Sequence, residues 1–281
     1  MRIQNALFLI ILIICSLFSL LSSSSSKFNK RSKANTKQLN NEKSQNNQSN
    51  NNQSTQPQPQ SCSSKPQKNI ILLGPPGSGK GTQSNFLIDE FCYCQISTGD
   101  LLRDNIVRQT SIGLKAKEFM DKGGMVPDHI INKLIKKAVI SPSCERGIIF
   151  DGYPRNQSQA EHLELILSKL GKKVDKVIEL QVDNKVLFER ITGRMIHLTS
   201  GRSYHIKFNP PKVEGIDDVT GEPLIHRNDD DVKTLKIRID NYNQKTVPIT
   251  KYYHGRNLLK MIDATQKIKV IQDEIYRELS N

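Results

Sequence analysis

The 281-residue chain is 36% hydrophobic with a formal net charge of +13, enough apolar sequence for a packed core only if part of the chain stays outside it. The excluded part is the start, since residues 1–67 carry eight Lys/Arg against a single acid, Glu42. No basic cluster with interleaved aromatic residues argues for a nucleic-acid surface, and Cys15, Cys62, Cys92, Cys94 and Cys144 are an odd, scattered set that does not read as a disulfide framework. Cys92 and Cys94 read instead as buried or partly buried thiols flanking a strand.

Residues 3–26 carry no charge and contain the apolar run 6–21, which suits either a signal peptide or a membrane anchor. Lys27, Lys30, Arg31, Lys33 and Lys37 follow it, so the positive-inside rule would leave the remainder of an anchored chain on the cytosolic side, where nucleotide is present. The acid-poor, Ser/Asn/Lys-rich stretch behind the run also resembles an organellar transit peptide, mitochondrial or plastid, with a cytoplasmic address as the alternative. Residues 27–67 are low in complexity and nearly free of large apolar groups, so they read as a flexible tether. The folded domain is expected over 68–281.

It opens with "NIILLG" (69–74), a strand, followed at once by "GPPGSGKGTQ" and a helical pattern. Strand, glycine-rich turn and helix in that order form a phosphate-binding loop. Gly74, Gly77 and Gly79 let the backbone approach an oxyanion, the helix N-terminus behind them offers unpaired N–H groups, and Lys80 reaches the outer phosphates. The pattern G-x4-G-K-[ST] is broken, because Gly81 stands where Ser or Thr usually binds magnesium and Thr82 comes one residue later. Thr82 is therefore not assigned as a direct magnesium ligand.

A second strand ends in "STGDLLR", where Ser97 and Thr98 cap a helix beginning near Asp100. After Gly123 and Gly124 a further helix starts at Asp128, with Ile131, Leu134, Ile135 and Ala138 on its apolar face. "GIIFDGYPR" supplies a third strand ending in Asp151, an acid placed where open α/β sheets bind ligands. A fourth strand, "KVIELQV", precedes "NKVLFERITGR", a helical stretch that puts Arg190 and Arg194 at i and i+4 on one face, a costly arrangement unless an anion lies between them.

Arg227 and Arg238 flank a helix capped by Asn228 or Asp229. If both lay on one straight helix they would be about 16 Å apart, so convergence on one phosphate needs a hinge. The 35 residues between Arg194 and Asp230 exceed a passive connection and read as a mobile lid. Within it, His197, Ser200, Asp217 and Thr220 stand at the X-x2-X-x16-X-x2-X spacing of a four-cysteine zinc site. Two hydroxyls, an imidazole and a carboxylate make a poor zinc set and a good hydrogen-bond set, so a polar brace is expected, with the imidazole donating to Asp217 and no direct protein ligand to zinc. Ile268, Ile271, Ile275 and Leu279 of the last helix read as core.

The form "GPPGSGKGTQ", together with "STGDLLR", "DGYPR" and the separated arginines, resembles the nucleoside monophosphate kinases, and the adenylate kinase family of long-lid type in particular. The resemblance covers residues 69–281 and implies a P-loop α/β fold with a parallel five-stranded sheet core, a small AMP-binding subdomain (97–127) and a mobile lid (194–230). It implies phosphoryl transfer from Mg·ATP to AMP giving two ADP, with a GTP-dependent AMP phosphotransferase or a catalytically idle, tethered nucleotide-binding module as competing readings. It also implies Gly77, Ser78, Gly79, Lys80, Gly81, Thr82, Arg190 and Gln266 around ATP, and Thr98, Arg103, Gly152, Arg155, Gln159, Arg227 and Arg238 around AMP. Asp151 would hold Mg²⁺ through water, Lys80, Arg155, Arg194, Arg227 and Arg238 would carry catalysis, Gln159 would read adenine by its amide, and the protein would be a monomer.

Overall fold

A computed structural model describes residues 65–227 and 229–280; the apolar run and nearly all of the expected tether lie outside the described residues. The strands are β1 (Asn69–Leu73), β2 (Cys94–Ser97), β3 (Ile148–Asp151), β4 (Lys176–Gln181), β5 (Arg194–His197), β6 (Ser203–His205), β7 (Leu224–Ile225) and β8 (Leu259–Asp263). The helices are α1 (Lys80–Phe91), α2 (Thr98–Val107), α3 (Ser111–Met120), α4 (Asp128–Ala138), α5 (Gln157–Ser168), α6 (Asn184–Thr192), α7 (Val232–Asn241), α8 (Val247–His254) and α9 (Ile268–Ser280). A π-helical turn, Tyr242–Thr246, joins α7 to α8.

Five strands pair in parallel in the order β2-β3-β1-β4-β8, the expected P-loop α/β core. All five residues of the central β1 are buried, because a sheet covered on both faces favours a continuous apolar run over an alternating one. Successive side chains still divide between the faces. Ile71 and Leu73 join Ile135 of α4, Leu163 of α5 and Ile249 of α8, whereas Ile70 and Leu72 join Leu87 and Phe91 of α1 and Ile271, Ile275 and Leu279 of α9. Ile268, expected in that core, is only half-buried and lines the central cavity. β5, β6 and β7 form a separate antiparallel ribbon in the order β6-β5-β7, within the segment expected to be a lid.

Three expectations are corrected. Arg190 and Arg194 do not share a helix face: α6 stops at Thr192, Gly193 caps it, and Arg194 opens β5. A Cβ on Gly193 would lie 2.6 Å from the His205 ring, so the ribbon packs where a longer helix would run. Arg227 and Arg238 need no hinged helix, since α7 begins only at Val232 with Asp231 as its N-cap and Arg227 lies in the non-helical segment before it. Finally, Cys94 is bonded to Cys144, with Cα atoms 5.0 Å apart, and Cys92 is disulfide-bonded too, so neither is a thiol. The 50-residue separation hides what the parallel register creates: Cys94 lies opposite Ile148 of β3, and a short 3-10 turn, Pro142–Cys144, brings Cys144 to the same place.

Candidate active site

The turn after β1 is built from backbone. At Gly74 (φ +151°) a Cβ would meet Ser78 Oγ at 2.5 Å and the Leu180 carbonyl at 3.0 Å, so only glycine lets the chain leave the sheet this way. Gly79, with φ 95°, caps α1 and directs its first-turn N–H groups toward the loop. Lys80 Nζ donates to the carbonyls of Gly74 (2.8 Å) and Pro75 (3.0 Å). Burial lowers its pKa to about 8, an effect that Asp151 opposes and Arg155 reinforces.

The C-terminal ends of β1 and β3 are neighbours, Leu72 opposite Asp151, and this is the position at which a doubly wound sheet presents ligands. Gln95 Nε2 donates to Asp151 Oδ2 at 3.1 Å, and burial raises the carboxyl of Asp151 against the pull of Lys80. On the β2 side, Thr98 Oγ1 donates to the Gly152 carbonyl (2.9 Å), which also accepts from Arg155 Nε (2.7 Å).

Lys80, Arg103, Arg155, Arg194, Arg227 and Arg238 all line one cavity of about 780 Å³, within the size range of small-molecule sites. Gly77, Ser78, Gly79, Gly81, Thr82, Arg190 and Gln266 line it at the loop side, and Thr98, Gly152 and Gln159 at the β2–β3 side. Many of these cations have surface open to the cavity while protein surrounds them. Burial first, then the neighbouring Arg238, lowers Arg155 to about 10; burial, then Arg194, lowers Arg227 to about 10. At neutral pH Arg155 and Arg227 stay charged.

The structure also supplies counter-charges that sequence reasoning missed. Arg103 pairs with Asp100 at 2.6 Å, and Arg227 reaches the same carboxylate at 3.4 Å. Arg194 Nε donates to Asp230 at 2.8 Å, and Arg238 donates to Asp229 at 3.0 Å. Although burial pushes Asp100 and Asp229 up, the arginines hold both below the usual carboxylate range. The run Asp229 to Asp231 was the available signal, read only as a helix cap; so many converging arginines need nearby carboxylates to fold at all. Arg190, expected beside Arg194, donates instead to the Ala264 carbonyl at 2.8 Å, and its guanidinium lies 5.9 Å from the Phe208 ring of the ribbon.

The ribbon lies over this cavity: Gly201, Tyr204, His205 and Phe208 line it together with the loop. Its four brace positions do cluster, with one correction. His197 bonds Ser200 through Nδ1 (2.7 Å) and Glu222 through Nε2, and stays 4.0 Å from Asp217. Asp217 is taken by Arg202, which donates to both oxygens at 2.9 and 2.7 Å, and by the hydroxyls of Tyr204 (3.0 Å) and Thr220 (2.9 Å). A permanently charged bidentate donor outcompetes an imidazole for a buried carboxylate. Arg202, Tyr204 and Glu222 complete a network of which four members were foreseen.

A phosphate loop at the end of a parallel sheet, cations around one cavity and a ribbon across it mark a P-loop protein built to hold phosphate-bearing ligands. The adenylate kinase family profile matches residues 72–258. The chain is 50% identical to "Adenylate kinase 4" of Oryza sativa subsp. japonica over 219 residues, covering 78% of this chain and 90% of that one. "Adenylate kinase 4" of Arabidopsis thaliana is 47% identical (78% and 89% covered), and "Adenylate kinase" of Laccaria bicolor 45% identical (74% and 82% covered). The chain belongs to the adenylate kinase family. It is a kinase that transfers a phosphoryl group from ATP to AMP, with ADP as product on both sides; donation from GTP and a catalytically idle chain are not favoured.

Proposed function

We propose that the loop side of the cavity holds Mg·ATP and the β2–β3 side holds AMP, with the arginines between them acting on the phosphoryl group in transit. The observation that carries this division is the convergence of Lys80, Arg103, Arg155, Arg194, Arg227 and Arg238 on one cavity. Gly77, Ser78, Gly79, Gly81 and Thr82 cradle the donor phosphates, Lys80 bridges their outer end, and Arg190 and Gln266 flank the donor base. Thr98, Gly152 and Gln159 face the acceptor base, while Arg103, Arg155, Arg227 and Arg238 meet the acceptor phosphate. Magnesium enters with ATP. Mg²⁺ keeps several waters and takes only one or two carboxylates beside phosphate oxygens, and Asp151, a carboxylate beside Lys80, fits that role through water.

The transition state spreads negative charge over the equatorial oxygens of the moving group, so catalysis consists mostly of positioning and electrostatic stabilisation. Arg155, Arg194, Arg227 and Arg238 supply fixed positive charge there, and no covalent enzyme intermediate is needed. Activated ATP must also be kept from water, which the ribbon accomplishes by closing over both subsites; its reopening then limits turnover. Arg155→Ala should lower kcat by about 10³ or more with the fold intact, because a single arginine at this position contributes on that order. Near-wild-type turnover by Arg155→Ala, measured with AMP and ATP in a coupled assay, would remove the assignment.

Residues 97–127 are assigned as the AMP-binding subdomain and 194–230 as the lid, and the enzyme is taken to act as a monomer. Residues 1–26 are proposed to direct it to an organelle. Among the described residues no helix is long and apolar enough to cross a membrane. Fractionation with N-terminal sequencing of the mature protein tests the address; an intact Met1 in the cytosol would overturn it.

A further inference from the structure

We infer that Asp128, a residue outside the cavity lining, sets the choice of acceptor base by locking the side-chain amide of Gln159 in one of its two orientations. The inference rests on the reading above that Gln159 faces the acceptor base. Gln159 is 1% exposed and lines the cavity. Its Oε1 accepts from the backbone N–H of Arg155 at 2.8 Å, and its Nε2 donates to Asp128 Oδ1 at 2.7 Å. A backbone N–H can only donate and a carboxylate can only accept, so these two partners determine which end of the amide is which.

Asp128 is itself held. Asn156 Nδ2 donates to both of its oxygens at 3.2 and 3.1 Å, while Asn156 Oδ1 accepts from the Gln159 backbone N–H at 2.8 Å as the N-cap of α5. The same Asn156 amide therefore has a forced orientation, and the ring of bonds through Asp128, Asn156 and Gln159 closes on itself. Turning the Gln159 amide over would set Nε2 against the Arg155 N–H and Oε1 against the Asp128 carboxylate. Two bonds would become two repulsions.

After these bonds the amide retains one N–H on Nε2 and one lone pair on Oε1. A 6-aminopurine presents the complement: N6–H donates to Oε1, and N1 accepts from Nε2. A 6-oxopurine presents the reverse, an accepting O6 and a donating N1–H, and would need the flipped amide. Discrimination of this kind works by leaving the wrong ligand's polar groups opposed or unpaired, which a hydrogen-bonding site does far better than a merely shaped one. Asp128 is thus a positioning residue for specificity, acting on the base through Gln159.

AMP and IMP differ only in this edge, so the test is the ratio of their kcat/KM values with ATP as donor. Asp128→Asn replaces an obligate acceptor by an amide that can donate or accept, and should lower the AMP:IMP ratio about tenfold or more, partly through a gain on IMP, with KM for ATP unchanged. Gln159→Leu separates the two layers of the argument. If it abolishes the preference while Asp128→Asn leaves the ratio intact, or lowers both substrates equally, the lock is wrong and the reading of Gln159 stands; if Gln159→Leu leaves the ratio intact, the reading itself fails. Should Asp128→Asn not fold, Asn156→Ser keeps a hydroxyl cap on α5 and withdraws the amide that holds Asp128. That variant should lower the ratio about threefold, and an unchanged ratio would overturn the lock.

Discussion

The phosphate loop and the antiparallel ribbon both hold chain in a shape that no regular element provides, and they do so by opposite means. In the loop the backbone is the device: Gly74 and Gly79 take positive φ, and the N-terminus of α1 stands behind them. In the ribbon side chains do the holding, with Asp217 gripped by Arg202, Tyr204 and Thr220, and His197 strung between Ser200 and Glu222. Backbone solutions tolerate few residue types and so leave a pattern in the sequence. Side-chain networks can be built in many ways, and their partners can come from anywhere nearby. The loop should therefore break sharply under single substitutions, and the ribbon should degrade gradually.

Within the loop and the ribbon, the largest effect is expected at Lys80. Lys80→Met should lower kcat/KM for ATP by about 10² to 10³, the usual consequence of removing one preorganised donor from a developing charge. In the wild-type enzyme the buried amine, lowered to about 8, is charged below that pH and neutral above it. Accordingly kcat/KM for ATP, which reports the free enzyme, should fall as pH rises through about 8, while kcat should not, since bound phosphates keep the amine protonated. Flat kcat/KM from pH 7 to 9.5 would contradict the burial argument.

A covalent brace is a third solution, and its effect should come next. The Cys94–Cys144 bond joins the start of β2 to the turn before β3, and so closes a loop that contains α2, α3 and α4. Cys144→Ser should lower unfolding stability by about 2 to 4 kcal/mol in denaturant titration, with kcat at room temperature little changed. Equal stability of Cys144→Ser and oxidised wild-type protein would show that the bond contributes nothing. Gly74→Ala should cost about 2 kcal/mol, from strain at positive φ and the clash with Ser78 Oγ, together with a loss of ATP binding.

What could be read beforehand follows the same division. The succession of core strands along the chain, the loop and Asp151 at the end of β3 were readable because periodicity and glycine spacing are local properties, and the structure realises them at the residues expected. The arginines were found as residues but misplaced as geometry. Arg190 and Arg194 were put on one helix because nothing in "ERITGR" announces that β6 packs against Gly193. The disulfide went unread for a related reason: pairing across parallel strands depends on sheet order, which the spacing of Cys94 and Cys144 does not contain. Asp128 shows the limit most clearly, since it looked like a helix-starting acid until the fold set it against Gln159.

In the ribbon, Arg202→Ala should leave Asp217 without its bidentate donor and speed amide exchange in β5 and β6 about tenfold, while exchange in β1 and β4 stays as in wild type. Equal acceleration everywhere would mean that the ribbon network supports the whole domain and is no local brace.

The smallest effect should come from Thr220→Val, and its sign depends on pH. Arg202 first, then the hydrogen bonds from Thr220 and Tyr204, hold the Asp217 carboxyl well below the usual carboxylate range, although burial pushes the other way. A carboxyl depressed in the native state contributes stability that is fully present above its unfolded value of about 3.9 and is lost only as pH falls through the lower native value. Asp217 should therefore add no pH dependence to the ribbon between about pH 5 and 7. Thr220→Val removes one hydroxyl donor but keeps the backbone N–H of Thr220, which also donates to Asp217 at 2.8 Å. Ribbon exchange should rise about twofold at neutral pH. The acid-induced loss of this contribution should also be complete at a higher pH than in wild type, because the native value moves up toward the unfolded one. A loss that is complete at the same pH in both proteins would show that Arg202 alone holds the carboxylate, and the ribbon would then rest on one ion pair where the structure shows a network.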